Sequence, residues 1–203
     1  MKIQRLLLLT FLLTALTGCQ KKSDDLGSLR DPHEKIERLK QEISSNQAEE
    51  IFALLVFSSE GYKDIVIRVI GGEATVTYYH NLWMIDRKFY PWKKTLSATE
   101  WNNAKSIFIQ SEHLKPYEIS AGGGLPSYHY VYLTKTKEVC FYMYGVGVEK
   151  CKPKPLRNQE IIEKEKPYEK LNDAFYDLTA GFDKAKHMKA YWEEEKKKEQ
   201  DDK

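Results

Sequence analysis

Histidines, cysteines, serines and carboxylates are the residues that could carry chemistry, and their spacing limits what that chemistry can be. No two histidines stand at the H-x-x-x-H or H-E-x-x-H spacing of a zinc site. No serine lies in a G-x-S-x-G turn, and no two carboxylates stand out as a hydrolytic pair. The sequence therefore predicts no catalytic residue, no metal site and no cofactor. The alternative that it leaves open is a metal or general-base site where the strand-borne His80 and His129 meet; the other histidines are His33, His113 and His187.

The first residues form a separate unit with its own chemistry. Lys2 and Arg5 precede an eleven-residue run, from Leu6 to Leu16, that only two threonines interrupt. A helix needs about 20 apolar residues to cross a bilayer, so this run is too short to be a membrane span. Its length and basic start are typical of a secretory signal peptide, and a buried core helix is the alternative.

The residues that end this run carry the one resemblance to a known class. Leu16-Thr17-Gly18-Cys19 resembles the lipobox of bacterial lipoproteins. The resemblance implies cleavage after Gly18 and lipid on the sulfur and amine of Cys19, a firm anchor when several acyl chains are attached. In Gram-negative lipoproteins an aspartate after the cysteine favours the inner membrane. Gln20 stands there instead, which implies the outer membrane, with the protein facing the periplasm.

Length and charge suggest a single domain tethered to that anchor. We predict a signal peptide at 1–18, an anchor and flexible tether at 19–30, one periplasmic domain at 31–193 and a charged, frayed tail at 194–203. Removing the signal peptide removes two positive charges and no acidic residue, so the mature chain has a formal net charge of zero. Such a chain has no overall basic field to attract nucleic acid.

The two cysteines that remain, Cys140 and Cys151, are predicted to form a structural disulfide, because exported chains meet an oxidising compartment. In a straight strand they would lie about 36 Å apart, too far to bond. A two-residue turn at Gly145-Val146 would place them opposite each other in a hairpin. Two free thiols are the alternative.

The pattern along the rest of the chain predicts strands in the middle and helices around them. Asp31-Pro32 and the Ser97–Glu100 capping box each mark a helix start, and 51–57 fits either a helix or a buried strand. Residues 152–167 are predicted to be a connector with at most a short helix. Strands are predicted at 64–70, 74–80, 82–92, 127–133 and 138–144. Helices are predicted at 31–43, at 97–110 and from Tyr168 onward. Apolar residues recur at helical spacing in the last of these, at Tyr168, Leu171, Phe175, Leu178, Met188, Tyr191 and Trp192.

This order indicates an α+β fold. We expect an antiparallel sheet of four to six strands, packed on one face against the helix at 97–110 and the C-terminal helices.

Tyrosines alternate along two of the predicted strands, which makes them candidates for a binding surface. They are Tyr128, Tyr130, Tyr132, Tyr142 and Tyr144. Cross-strand packing on a half-buried sheet is the alternative.

With no catalytic motif, the sequence favours a protein-binding module, such as an immunity lipoprotein that neutralises a periplasmic toxin. An envelope enzyme acting on peptidoglycan or lipid, or a structural component of an envelope assembly, is the alternative.

Overall fold

The computed structural model describes residues 26–59, 61–82, 91–119 and 125–183, together with Lys186, Lys189 and Glu193. The helices are α1 (Pro32–Ser44), α2 (Ala98–Gln110), α3 (Val148–Cys151) and α4 (Gln159–Asp177), with a 3-10 turn at Lys154–Leu156. The strands are β1 (Glu50–Ser58), β2 (Gly61–Ile70), β3 (Glu73–Leu82), β4 (Trp92–Thr95), β5 (Tyr117–Glu118), β6 (Ser127–Thr134) and β7 (Glu138–Tyr144).

All seven strands form one sheet in the order β4-β3-β2-β1-β6-β7-β5. Every neighbouring pair is antiparallel except β5 and β7, which run parallel. The α+β fold is confirmed, with one strand more than the expected four to six. No predicted strand covers the short β5, two residues long, and only Trp92 of β4 falls within a predicted strand.

One face of the sheet packs against α2 and α4, as predicted. Phe52 of β1 stacks on Tyr132 at a ring distance of 4.3 Å and also contacts Phe108 of α2 at 5.3 Å. Phe108 in turn stacks on Phe175 of α4 at 4.3 Å. These aromatic contacts join the central strands to both helices, so the sheet, α2 and α4 share one hydrophobic core.

The opposite face is also covered, which differs from the expected one-sided sheet. Leu39 and Ile43 of α1 pack with Ile51 and Ala53 of β1 and with Val131 of β6. The central strand is therefore buried on both sides, and every residue from Ile51 to Val56 is buried. This explains why 51–57 was ambiguous, because a strand covered on both faces loses its alternating pattern.

Local signals at chain reversals and helix starts are confirmed. Asp31 caps α1 by accepting from the His33 amide, and Ser97 and Glu100 form both bonds of the capping box. Gly71 and Gly72 both have positive φ and join β2 to β3. These features depend on neighbours in sequence, which is why the sequence predicts them well.

The predicted connector at 152–167 is wrong in its second half. Helix α4 begins at Gln159, capped by the Asn158 side chain, and continues through Pro167. Buried residues lie on both sides of the proline, Ile162 and Glu165 before it and Leu171 after it. Packing along the whole helix therefore offsets the backbone hydrogen bond that proline cannot make.

Several predictions fall on parts of the chain outside the described residues. They concern the signal peptide with Gly18 and Cys19, most of the tether, and the charged tail. They also concern the strand-like stretch at 83–90, together with His187, Met188, Tyr191 and Trp192.

Replacing Pro167 with alanine should raise the free energy of unfolding by about 1–3 kcal/mol, because it restores an interior helix hydrogen bond at an exposed position. Urea denaturation measures the change. Pro155→Ala, outside any α-helix, is the matched control and should shift stability by less than about 0.5 kcal/mol. Equal effects of the two substitutions would contradict the continuous helix.

Candidate binding surface

Two ion pairs are buried between α1 and β2. The Lys35 ammonium contacts the Asp64 carboxylate, and both side chains are no more than 2% exposed. Arg68 donates two hydrogen bonds to Glu42, at 2.6 and 2.9 Å. Sequence reasoning missed this cluster, although Asp64 and Arg68 are charged residues on one face of an apolar strand. That pattern was the available signal.

The spacing of these charges matches between the helix and the strand. Lys35 and Glu42 are two helical turns apart, about 10.5 Å along the axis. Asp64 and Arg68 are four strand residues apart, about 13 Å. The positive charge comes first along α1, whereas the negative charge comes first along β2. Both pairs can therefore form in one register only. The cluster therefore fixes the position of α1 on the sheet.

Burial governs the electrostatics of the Lys35–Asp64 pair. It raises the pKa of Asp64 to about 6, although the Lys35 charge acts in the opposite direction. The Lys35 ammonium also lies 3.8 Å from the centre of the Tyr62 ring. Because these groups are closed off from solvent, they hold the fold together and are not placed to meet a substrate.

The five-tyrosine binding surface is wrong, since its members lie on opposite faces of the sheet. Tyr130 is fully buried and donates to the Phe108 carbonyl at 3.0 Å, and Tyr132 is 8% exposed. Tyr128 lies half-buried on that same face. Tyr142 and Tyr144 point to the other face, where Tyr142 is 42% exposed.

The length of the β6–β7 loop decides this division. Thr134 and Lys137 close the hairpin through a backbone hydrogen bond of 2.8 Å, which leaves two loop residues. Tyr130 is then opposite Phe141, and Tyr142 is opposite His129. A loop longer by one residue would have brought the tyrosines to the same face.

The exposed side of β7 is the surface that the helices leave open. We call it the hairpin face, formed by Glu138, Cys140 and Tyr142, all exposed. Helix α1 borders it through Lys40, which binds Glu138 at 2.7 Å. At the other end, the Tyr142 hydroxyl bonds Glu118 at 3.4 Å. The hairpin face thus presents an aromatic ring, a carboxylate and a lysine beside each other.

An open groove of about 520 Å³ lies next to the hairpin face, between the C-terminal end of α1 and the β6–β7 hairpin. Ile43 and Leu133 contribute apolar surface to it, and Lys40, Thr136 and Glu138 contribute polar groups. Hydrogen bonds to Glu138 and Glu37 raise the pKa of Lys40, so it remains charged. Ile43 and Leu133 are only 6% and 2% exposed, so polar and charged groups make up most of the groove's surface, as at the rim of a protein interface.

His80 and His129 do not meet as the alternative required, because they lie on opposite faces of the sheet. His80 stacks on Tyr78 on the α4 side of the sheet. His129 lies on the α1 side, where its ring centre is 6.3 Å from that of His33. Among the described residues, no group of three or more His, Cys, Asp or Glu side chains could hold a metal ion. In the same part of the chain, no helix is long and apolar enough to cross a membrane.

The hairpin predicted to join Cys140 to Cys151 is wrong, and both cysteines are free and exposed. Gly145 and Gly147 have positive φ, and the Gly147 amide donates to the buried Glu165 carboxylate at 3.1 Å. At this point the chain enters α3 instead of returning along β7. Partial burial and the nearby Glu138 carboxylate raise the pKa of the Cys140 thiol to about 11, which keeps it protonated at neutral pH.

Comparison with known sequences identified no related protein. No protein-family model matches the chain, and no curated protein is significantly similar to it in sequence. The arguments for function therefore rest on the residues of this chain alone.

Asp64 should make the protein less stable as the pH rises from 4 to 7. Its pKa in the folded state, about 6, exceeds its ordinary value of 3.8, so the folded state holds the proton more tightly. The stabilisation of the folded state that comes from this tighter proton binding is present at low pH and is lost as the pH rises through 6. Relative to Asp64→Asn, the wild type should lose about 2 kcal/mol over this range, measured by urea denaturation. A constant difference between the two proteins would contradict the raised pKa.

Proposed function

We propose that this protein is a lipid-anchored protein of the bacterial outer membrane that faces the periplasm and binds a protein partner without catalysing a reaction. The lipobox-like sequence supports the anchor. The hairpin face and its groove support the partner, and this uncovered surface is the observation that carries the proposal. A secreted toxin that the protein neutralises is the class of partner we favour.

The chemistry of the hairpin face fits a protein ligand. Tyr142 offers a large apolar ring with a polar tip, the side-chain type that contributes most at protein interfaces. Lys40 and Glu138 form an ion pair at the rim, and their side chains are 32% and 53% exposed. Because such half-exposed charges contribute little to stability, they are available to fix the orientation of a partner.

The lipid anchor is tested by mass spectrometry of the protein from its native cells. The expected result is a mature chain that begins at Cys19 and carries acyl chains. Cys19→Ser should leave the protein out of the membrane fraction, because the anchor is lost. A chain that retains residues 1–18 without acylation would refute the anchor.

The partner surface is tested by capture from native envelopes with the mature protein, followed by titration of the purified partner. Tyr142→Ala should weaken binding at least tenfold, as expected for a central aromatic contact. Ile109→Ala is the matched control, because Ile109 is 44% exposed on α2, across the sheet from the hairpin face. Equal affinity of both variants would exclude the hairpin face as the partner site.

A further inference from the structure

A second exposed surface lies at one end of the sheet and differs in chemistry from the hairpin face. Residues 150–157, which we call the basic strap, read KCKPKPLR and contain four basic residues and no acidic one. Residues 150–156 are all exposed. Leu156 is 67% exposed, the highest value among the exposed large hydrophobic residues that the structure describes.

Buried carboxylates hold the segment that contains the basic strap. Glu165 accepts from the Gly147 amide at 3.1 Å, ahead of the strap, and Glu149 accepts from the Asn158 amide at 3.0 Å, just after it. Arg157 donates to the carbonyls of Lys150 and Lys152, at 2.8 and 3.0 Å. The strap is therefore held in a defined shape with its basic side chains at the surface.

The charge of the basic strap is only partly neutralised. Lys150 pairs with Glu169 and Lys152 pairs with Glu149. In the described part of the chain, no carboxylate forms an ion pair with Lys154 or Arg157. Two positive charges therefore remain uncompensated on either side of the exposed Leu156 side chain.

The strand register places the basic strap at the same end of the sheet as the start of the domain. Tyr62, Phe57, Ser127 and Tyr144 form one row across four strands. The Tyr62 hydroxyl donates to the Gly27 carbonyl at 2.5 Å, and the segment leading to the strap begins directly after Tyr144. At about 4.8 Å per strand, the two ends of the row are only about 14 Å apart.

We infer that the basic strap contacts the membrane surface, with Lys154 and Arg157 at anionic phospholipid headgroups and Leu156 at the boundary of the acyl chains. This inference rests on the proposed anchor at Cys19, because Leu26 follows Cys19 after only seven residue-to-residue steps. They span at most about 25 Å, so the anchor keeps this end of the sheet close to the bilayer. Basic residues that flank an exposed apolar side chain suit such an interface.

The test uses the mature chain with an oligohistidine at position 19, bound to vesicles that contain a nickel-chelating lipid. This tether replaces the acyl anchor, so the result does not depend on acylation or on a protein partner. An environment-sensitive fluorophore on Cys151, in a Cys140→Ser background, reports contact with lipid. The matched probe is on Ile70→Cys, in a background without the other two cysteines. Ile70 lies at the far end of the sheet, about 26 Å from Tyr62 along β2.

The Cys151 probe should shift to shorter wavelength on vesicles with phosphatidylglycerol and much less on neutral phosphatidylcholine vesicles, whereas the Ile70→Cys probe should not respond. Lys154→Glu with Leu156→Ser should lower the equilibrium constant for contact of the strap with anionic vesicles, read from the Cys151 probe, at least tenfold, because each basic residue near an anionic surface contributes about fivefold. Lys135→Glu with Ile70→Ser, at the far end, is the control and should change nothing.

Equal responses of the Cys151 probe on anionic and neutral vesicles would overturn the inference. No response on either kind of vesicle would also overturn it and would point to an acidic protein as the ligand of the strap. Neither result would bear on the anchor or on the hairpin face, which have their own tests.

Discussion

Two ion pairs sealed between α1 and β2 determine how the second face of the sheet is covered. Apolar contacts alone would let a helix with few large side chains slide along β1 and β6. The pairs Lys35–Asp64 and Glu42–Arg68 form together in only one register. Displacement of α1 would leave charges buried without partners, which costs several kcal/mol. The cluster thus contributes specificity of packing as well as attraction.

Coverage of both faces leaves little of the sheet open to other molecules. Helices α2 and α4 enclose one face, and α1 encloses the other over β1 and β6. Strand β7 lies beyond the edge of α1, so the side chains of Glu138, Cys140 and Tyr142 remain exposed there. A binding surface on this fold is therefore expected at the margin of the sheet, where the helices end, and the hairpin face is such a margin.

The two proposed contact surfaces differ in position as well as chemistry. The basic strap follows the end of β7 that lies near the start of the domain, whereas the hairpin turn is at the opposite end of that strand. If the strap lies on the bilayer, Glu138 and the groove beside Lys40 point away from it. This orientation would leave the hairpin face accessible to a partner in the periplasm, so the two proposals are physically compatible.

The sequence by itself determined the features that depend on near neighbours. The caps at Asp31 and Ser97, the glycine turn after Ile70, the β6–β7 hairpin and the α+β class all follow from local propensity and pattern. The lipobox-like residues at 16–19 also belong to the sequence alone. Such signals are readable because the interacting groups lie within a few residues of each other.

Only the tertiary structure decided which residues became exposed and which became buried. The register of β6 and β7 placed Tyr130 and Tyr142 on opposite faces of the sheet. The chain entered α3 after a hydrogen bond from Gly147 to Glu165 of α4, so Cys151 does not lie opposite Cys140. Packing on both sides of Pro167 carried α4 through a residue that normally ends a helix. The charged residues under α1 found partners 26 and 29 positions away. Apart from the division of the tyrosines, which depends on the length of the β6–β7 loop, these outcomes depend on contacts between distant segments, which local sequence patterns do not encode.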